Sequence, residues 1–238
     1  MKQTKENKIP LSLENKQAFE IVEWVLHTFH PRIALASSFG AEDVVLIDMM
    51  SKILSKPRIF TLDTGRLHQE TYDLMERVRN KYNVTIEVYF PETSAVENMV
   101  REHGLNLFYK SGDLRKLCCQ VRKVEPLNRA LADLDAWITG LRREQAITRS
   151  EAKKIEIDKD HGNFKINPLA DWTNDQVWSY IKENDVPYNA LHDQSFPSIG
   201  CLPCTRAVKP GEDPRSGRWW WEQANQRECG LHVKHRET

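Results

Sequence analysis

Five cysteines stand in the sequence, and four of them fall in two tight pairs. Cys118 and Cys119 are adjacent, Cys201-Leu202-Pro203-Cys204 is a C-x-x-C, and Cys229 stands alone within Glu228-Cys229-Gly230-Leu231-His232. A thiolate can ligate a soft metal, exchange with a disulfide or attack an electrophile. A redox C-x-x-C normally opens a helix after a strand, whereas this one follows the irregular run Ser195-Phe196-Pro197-Ser198. Merely buried thiols have no reason to pair twice, so a metal centre is the favoured reading. Adjacent cysteines are awkward ligands for one tetrahedral zinc ion and easier ones for an iron–sulfur cube; residue chemistry alone leaves both open. Cys229 is a candidate nucleophile, because cations such as Arg227 and His232 would lower its pKa. A plain surface thiol is the competing reading.

Anion chemistry is written at three further places. Ser37-Ser38-Phe39-Gly40-Ala41-Glu42-Asp43 joins an apolar run to a helical one. Small residues there let backbone N–H groups approach an anion at a helix N-terminus. It is no Walker loop, since G-x-x-x-x-G-K-[ST] is absent. Leu62-Asp63-Thr64-Gly65-Arg66 holds the equivalent place after the next strand and supplies a cation. Thr139-Gly140-Leu141-Arg142-Arg143 is the third, with Arg149 shortly after. A planar guanidinium fits tetrahedral oxyanions, so arginines at one sheet edge with two such turns predict a nucleotide or sulfate-ester pocket. Each turn taken singly also reads as an ordinary loop.

These residues need a frame, and the hydrophobic pattern supplies one. Residues 12–29 place Ala18, Ile21, Val22, Val25, Leu26 and Phe29 on one helical face, with Ser12 as cap. Buried-type strands are predicted at RIALAS, RIFTL, TIEVYF and DAWITG. Helices are predicted between them, including one over 113–132 kinked at Pro126. That alternation predicts an α/β fold with a parallel sheet and helices on both faces. KKIEID and FKINP read as a hairpin, and Thr173 caps a helix over 173–184. The expected organisation is an N-terminal helix in 1–30, an α/β body over 31–190 and an irregular C-terminal segment over 191–238.

Composition narrows the function classes. The chain has 238 residues, 40% apolar and 29% charged, enough for a real core. Its 34 basic and 34 acidic residues cancel, whereas nucleic-acid binders carry a basic surplus. No run of the ~20 apolar residues needed for a membrane span appears. The charged opening MKQTKENKIP lacks the core of a signal peptide. A cytoplasmic protein without nucleic-acid or membrane partners is the expectation.

Both cysteine pairs, Arg122-Lys123, SSFGAED, LDTGRLH, TGLRREQ and the terminal E-C-G-L-H together resemble the assimilatory adenylyl-sulfate reductases of the iron–sulfur type. The likeness runs from about residue 30 to 232. It implies an adenine-nucleotide α-hydrolase-like fold related to the ATP-pyrophosphatases. It further implies that Cys118, Cys119, Cys201 and Cys204 hold one [4Fe-4S] cluster. The substrate implied is adenosine 5′-phosphosulfate, held through Ser37, Ser38, Gly40, Leu62, Arg66, Gly140, Arg142 and Arg149. The catalytic set implied is Cys229, Lys123, Arg215, Arg218 and His232, with thioredoxin or a glutaredoxin-like donor as partner. A reductase of the 3′-phosphorylated nucleotide, or of both, is the alternative within the class. A zinc-stabilised nucleotide-binding module and a tRNA-thiolating enzyme are the alternatives outside it.

Overall fold

A computed structural model describes residues 10–222. The first long helix, α1 (Ala18–Phe29), buries the six predicted residues but starts later than their spacing suggests. Leu11–Asn15 forms a separate 3-10 turn, because Leu13 is buried and Glu14 is bonded to the Lys154 backbone amide and to Arg143. The cap is thus Gln17 rather than Ser12, and its backbone N–H donates to Glu20 Oε2 at 2.9 Å.

The alternating body follows. Its elements are β1 (Ile33–Ala36), α2 (Ala41–Ile53), β2 (Ile59–Leu62), α3 (Gln69–Tyr82), β3 (Ile86–Tyr89), α4 (Thr93–His103), α5 (Gly112–Cys119), α6 (Glu125–Leu131) and β4 (Ala136–Ile138). The hairpin β5 (Ile155–Ile157) and β6 (Phe164–Ile166) comes next, then α7 (Asn174–Glu183). The order across the sheet is β3-β2-β1-β4-β6-β5, parallel throughout except for the β5 edge. One face is covered by α1, α2, α3 and α7, whose apolar stripes make the main core. On the other, Leu127, Ala130 and Leu131 of α6 pack on Ala34, Phe60 and Trp137. None of the described helices is long and apolar enough to cross a membrane.

Two features of this topology position the site. The chain winds outward from β1 to β3, then jumps back to β4 on the other side of β1. Ligand crevices open at such a reversal, beyond the strand C-termini. The jump itself is the long connection carrying α4, α5 and α6, and it bears Cys118 and Cys119 at the end of α5. After α7, among the described residues, helix and strand give way to the short 3-10 turns Ala190–Gln194 and Leu202–Cys204 and an antiparallel bridge between Thr205 and Arg218. A third apolar cluster of Met99, Leu107, Phe108, Cys204 and Trp219 ties this segment to the crossover.

Candidate functional site

A cavity of about 1440 Å³ opens at the β1/β4 reversal, walled by Ser37, Ser38, Gly40, Leu62, Thr139 and Gly140 from the strand ends. The first turn differs in detail from its sequence reading. Asp43 Oδ2 accepts bonds from the Ser38 amide (2.6 Å), the Ser38 hydroxyl (2.8 Å) and the Gly40 amide (3.4 Å). The N–H cradle expected for an external anion is therefore filled by the chain's own carboxylate. Burial pushes Asp43 up to about 6 against the pull of the Ser38 bonds, and the neighbouring Glu42 charge adds to the rise. Gly140 allows this closure: a Cβ there would sit 2.8 Å from Glu42 Cβ and overlap Asp43 Oδ1.

The arginines divide. Arg142 lines the cavity, but its charge is matched within the wall, with Nε 2.8 Å from Glu42 Oε1 and Nη1 3.2 Å from Glu144 Oε2. Arg149 also lines it and donates to Gln145 Oε1 at 2.6 Å. Arg143 turns away, bonding the Ala152 carbonyl and Glu14, so the expected trio at one sheet edge is a pair. Arg66 does not line this cavity either. Its guanidinium donates to the Leu105 carbonyl (2.8 Å), lies 5.3 Å from the Phe108 ring and faces the cysteines.

Lys123, Arg215 and Arg218 line the same cavity. Arg218 is 7% exposed and donates from Nη1 to Ser198 Oγ (3.2 Å) and the Ile199 carbonyl (3.1 Å). Its Nε is buried without a hydrogen-bond partner among the described residues. Gly200 makes room for it, since a Cβ would stand 2.6 Å from Arg218 Cζ and closer still to Nη2.

Cys118, Cys119, Cys201 and Cys204, all free thiols, line one small pocket with Arg66, Arg115, Arg122 and Lys123. The C-x-x-C turn is held from outside by Leu202 N–H to the Arg66 carbonyl (2.8 Å) and Tyr109 O–H to the Pro203 carbonyl (2.8 Å). Thr64 Oγ1 lies 3.3 Å from Cys201 Sγ, and Arg122 Nη1 donates to the Thr64 carbonyl at 2.6 Å. Burial pushes Cys204 up to about 12 and raises Cys118, against the pull of the nearby cations. Thiols raised this way are poor nucleophiles, whereas a bound metal displaces the proton outright. Among the described residues, no three Cys, His, Asp or Glu side chains are grouped as for a single metal ion.

Between the two cavities the long helix changes gauge. Pro126 has no N–H to return to the Arg122 carbonyl, and the break appears upstream of it as a π-helical stretch, Gln120–Val124, with the Glu125 amide bonded to the Gln120 carbonyl. The predicted kink at Pro126 is thus shifted one turn earlier. Such widenings recur at functional sites. Here Lys123 comes to lie on the wall of both the large cavity and the cysteine pocket.

Cys229 and His232 lie outside the described residues. The sequence reading missed Thr64 as a neighbour of Cys201, along with Arg115 and Glu222. Thr64 sits inside a motif taken for an anion turn, so only its partner was hidden. Arg115 and Glu222 meet in an ion pair that no local spacing announces.

Residues 32–207 match the phosphoadenosine phosphosulfate reductase domain. An adenosine 5′-phosphosulfate reductase of Burkholderia cepacia is 56% identical over 207 residues, covering 86% of this chain and 82% of that protein. Among solved structures, a phosphoadenylyl-sulfate reductase from Candida auris in its phosphate complex superposes with a TM-score of 0.70 at 34% identity, covering 83% of this chain and 93% of the other. The NH3-dependent NAD synthetase of Campylobacter jejuni shares the fold alone, with a TM-score of 0.50 at 9% identity over 74% of this chain and 73% of its own. The fold is of the adenine-nucleotide α-hydrolase-like type.

Proposed function

The chain belongs to the phosphoadenosine phosphosulfate reductase family, and from that we propose that it reduces adenosine 5′-phosphosulfate to sulfite and AMP in sulfate assimilation. Its 56% identity to a protein named for that substrate supports the unphosphorylated nucleotide. The observation that carries the mechanism is Lys123, shared by the wall of the large strand-end cavity and the wall of the cysteine pocket.

Adenosine enters at the β1/β4 reversal, against Ser37, Ser38, Gly40, Leu62, Gly140, Arg142 and Arg149. With the first turn already occupied by Asp43, the phosphosulfate lies toward Lys123, Arg215 and Arg218. Arg66 acts from the cysteine side. Bringing a thiolate up to an anionic sulfate is the electrostatic difficulty. Cations in a largely buried wall lower it more than they would in water.

Cys229 thiolate attacks the sulfur, the S–O bond to the phosphate breaks, and AMP leaves with the electron pair. His232 and the cations steady the transferring SO3 group. A thiolate of reduced thioredoxin, or of a glutaredoxin-like donor, then attacks Cys229 Sγ. Sulfite departs and a mixed disulfide remains, which the donor's second thiol resolves. Both reducing electrons come from the dithiol.

The four pocket cysteines fit one [4Fe-4S] cluster. The donor set is all thiol, and Arg66, Arg122 and Lys123 stand beside it to offset the thiolates, Arg115 being paired with Glu222. When bound, the cluster supplies structural support and a local charge beside Lys123. Cytoplasmic location accords with thiols kept reduced.

The test is intact mass after incubation with adenosine 5′-phosphosulfate and no reductant. Wild type gains one SO3 unit on the peptide carrying Cys229, and Cys229→Ser gains none while still binding AMP. Transfer to the serine variant would refute the assignment.

A further inference from the structure

We propose that Arg206 and Glu212 are positioning residues, whose ion pair folds residues 206–217 into the shape that sets Arg215 on the wall of the strand-end cavity. The proposal rests on the reading above, in which the sulfate end of the nucleotide lies toward Lys123, Arg215 and Arg218, and deepens it. Val208 to Arg215 form a continuous stretch of that wall. The chain enters and leaves this stretch at a closed neck. Thr205 and Arg218 form an antiparallel bridge, and the Arg206 amide donates to the Gly217 carbonyl at 3.0 Å. Gly217 permits the approach, since a Cβ there would overlap the Arg206 carbonyl oxygen.

Beyond the neck the loop is held by polar contacts. Every residue from Arg206 to Ser216 is half-buried or exposed, and the bonds that order them converge on one carboxylate. Glu212 Oε2 accepts from Arg206 Nη1 (2.8 Å), the Lys209 amide (2.9 Å) and the Ser216 hydroxyl (3.4 Å), and Oε1 accepts from Arg206 Nη2 (3.3 Å). Lys209-Pro210-Gly211-Glu212 is the turn that presents this carboxylate. Its Glu212 amide returns to the Lys209 carbonyl at 3.0 Å, and Gly211 has φ +85°, the sign its place in a type II turn demands. From Glu212 the chain runs back to the neck through Arg215, whose amide donates to Asp213 Oδ1 at 2.8 Å and whose carbonyl accepts from the Arg218 amide at 2.9 Å. Arg215 is thus spanned on both sides, by the Glu212 hub and by the neck.

An ion pair this open to water adds little to the stability of a whole domain. A forked Arg–carboxylate pair does fix distance and direction together, and here that order is passed to a neighbouring cation. The pair also settles a charge. Glu212 itself lines the cavity, and the Arg206 guanidinium, with the Lys209 amide, holds its carboxyl down at about 2. Were Arg206 withdrawn, an unmatched carboxylate would stand on a wall that has to receive an anion.

The experiment uses full-length, metal-replete enzyme and the variants Arg206→Gln, Glu212→Gln and the two combined. The probes are AMP and adenosine 5′-diphosphate, whose β-phosphoryl group stands where the sulfate would be. Affinity for each is measured, together with hydrogen exchange of the peptide spanning 206–217. Each single variant should lose exchange protection and bind the diphosphate roughly tenfold more weakly, with AMP affinity held within about twofold. The double variant should match the singles, because the two side chains act as one unit. Charge alone would give another pattern: Glu212→Gln would tighten diphosphate binding, Arg206→Gln would weaken it, and the double variant would return to wild type. That pattern overturns the proposal, as do retained loop protection, losses that add in the double variant, or AMP affinity falling in step with diphosphate affinity. Should the single variants fail to fold, the double variant, which lacks both charges, carries the test: wild-type diphosphate affinity refutes the proposal and a tenfold loss supports it. Equal binding of AMP and the diphosphate by wild type would instead refute the proposed placement of the sulfate, and the exchange data would still decide whether the pair orders the loop.

Discussion

Replacing Asp43 by asparagine gives a prediction whose size can be worked from the structure. The carboxylate is buried, and its pKa lies at about 6 against an ordinary 3.8. A gap of about 2 pH units, at ~1.4 kcal/mol each, makes the ionised group cost about 3 kcal/mol of folding stability at neutral pH. The folded chain keeps its proton between pH 3.8 and about 6 while the unfolded chain has released it. Stability from this group is thus fully present below the lower value, falls as pH rises through the window, and is flat above it. Asparagine does not titrate. Its amide oxygen still accepts from Ser38, more weakly, and that loss is nearly constant with pH. The stability of Asp43→Asn relative to wild type should therefore climb with pH, with roughly half of the 3 kcal/mol appearing between pH 5 and pH 8. Urea denaturation of both proteins across that range measures it, other titrating groups cancelling in the difference. A difference that stays flat, or falls with pH, would refute the account of the first turn as an internally satisfied carboxylate.

Two further outcomes are expected. Gly200→Ala should displace the Arg218 guanidinium from its seat against the Ser198 hydroxyl and Ile199 carbonyl. A shift of about 1 Å in a positioned group costs up to ~100-fold in rate, so turnover should fall far more than thermal stability; full activity would show that Arg218 needs no fixed place. Cys204→Ser should lose iron, acid-labile sulfide and visible absorbance together, as elemental and spectral analysis will show. A variant that keeps its colour would remove Cys204 from the ligand set.

Much of the fold was legible because it is written in local patterns. The four parallel strands, the hairpin and the Thr173 cap follow from alternation, apolar runs and a hydroxyl three residues before its amide partner. What was misread depends on contacts distant in sequence. Glu14 leaves the first helix because Lys154 and Arg143 claim it. Arg143 carries the same motif as Arg142 but points to the opposite side, and Arg66 is drawn to the Leu105 carbonyl in the crossover. The pairing of the cysteines could be read from residue type, since soft ligands cluster for a reason. Their neighbours could not: Thr64, Arg115 and Glu222 belong to ordinary-looking segments and acquire meaning only where those segments meet.

The long crossover between β3 and β4 has a consequence for the order in which the molecule is made. Cys118 and Cys119 leave the ribosome with that crossover, before the last three strands exist, whereas Cys201 and Cys204 emerge after the entire sheet has been synthesised. A metal held by all four thiols, as proposed, would come too late to template the early stages of folding and would meet a nearly finished scaffold. During translation the first pair is an orphaned dithiol, vulnerable to oxidants until its later counterparts are born.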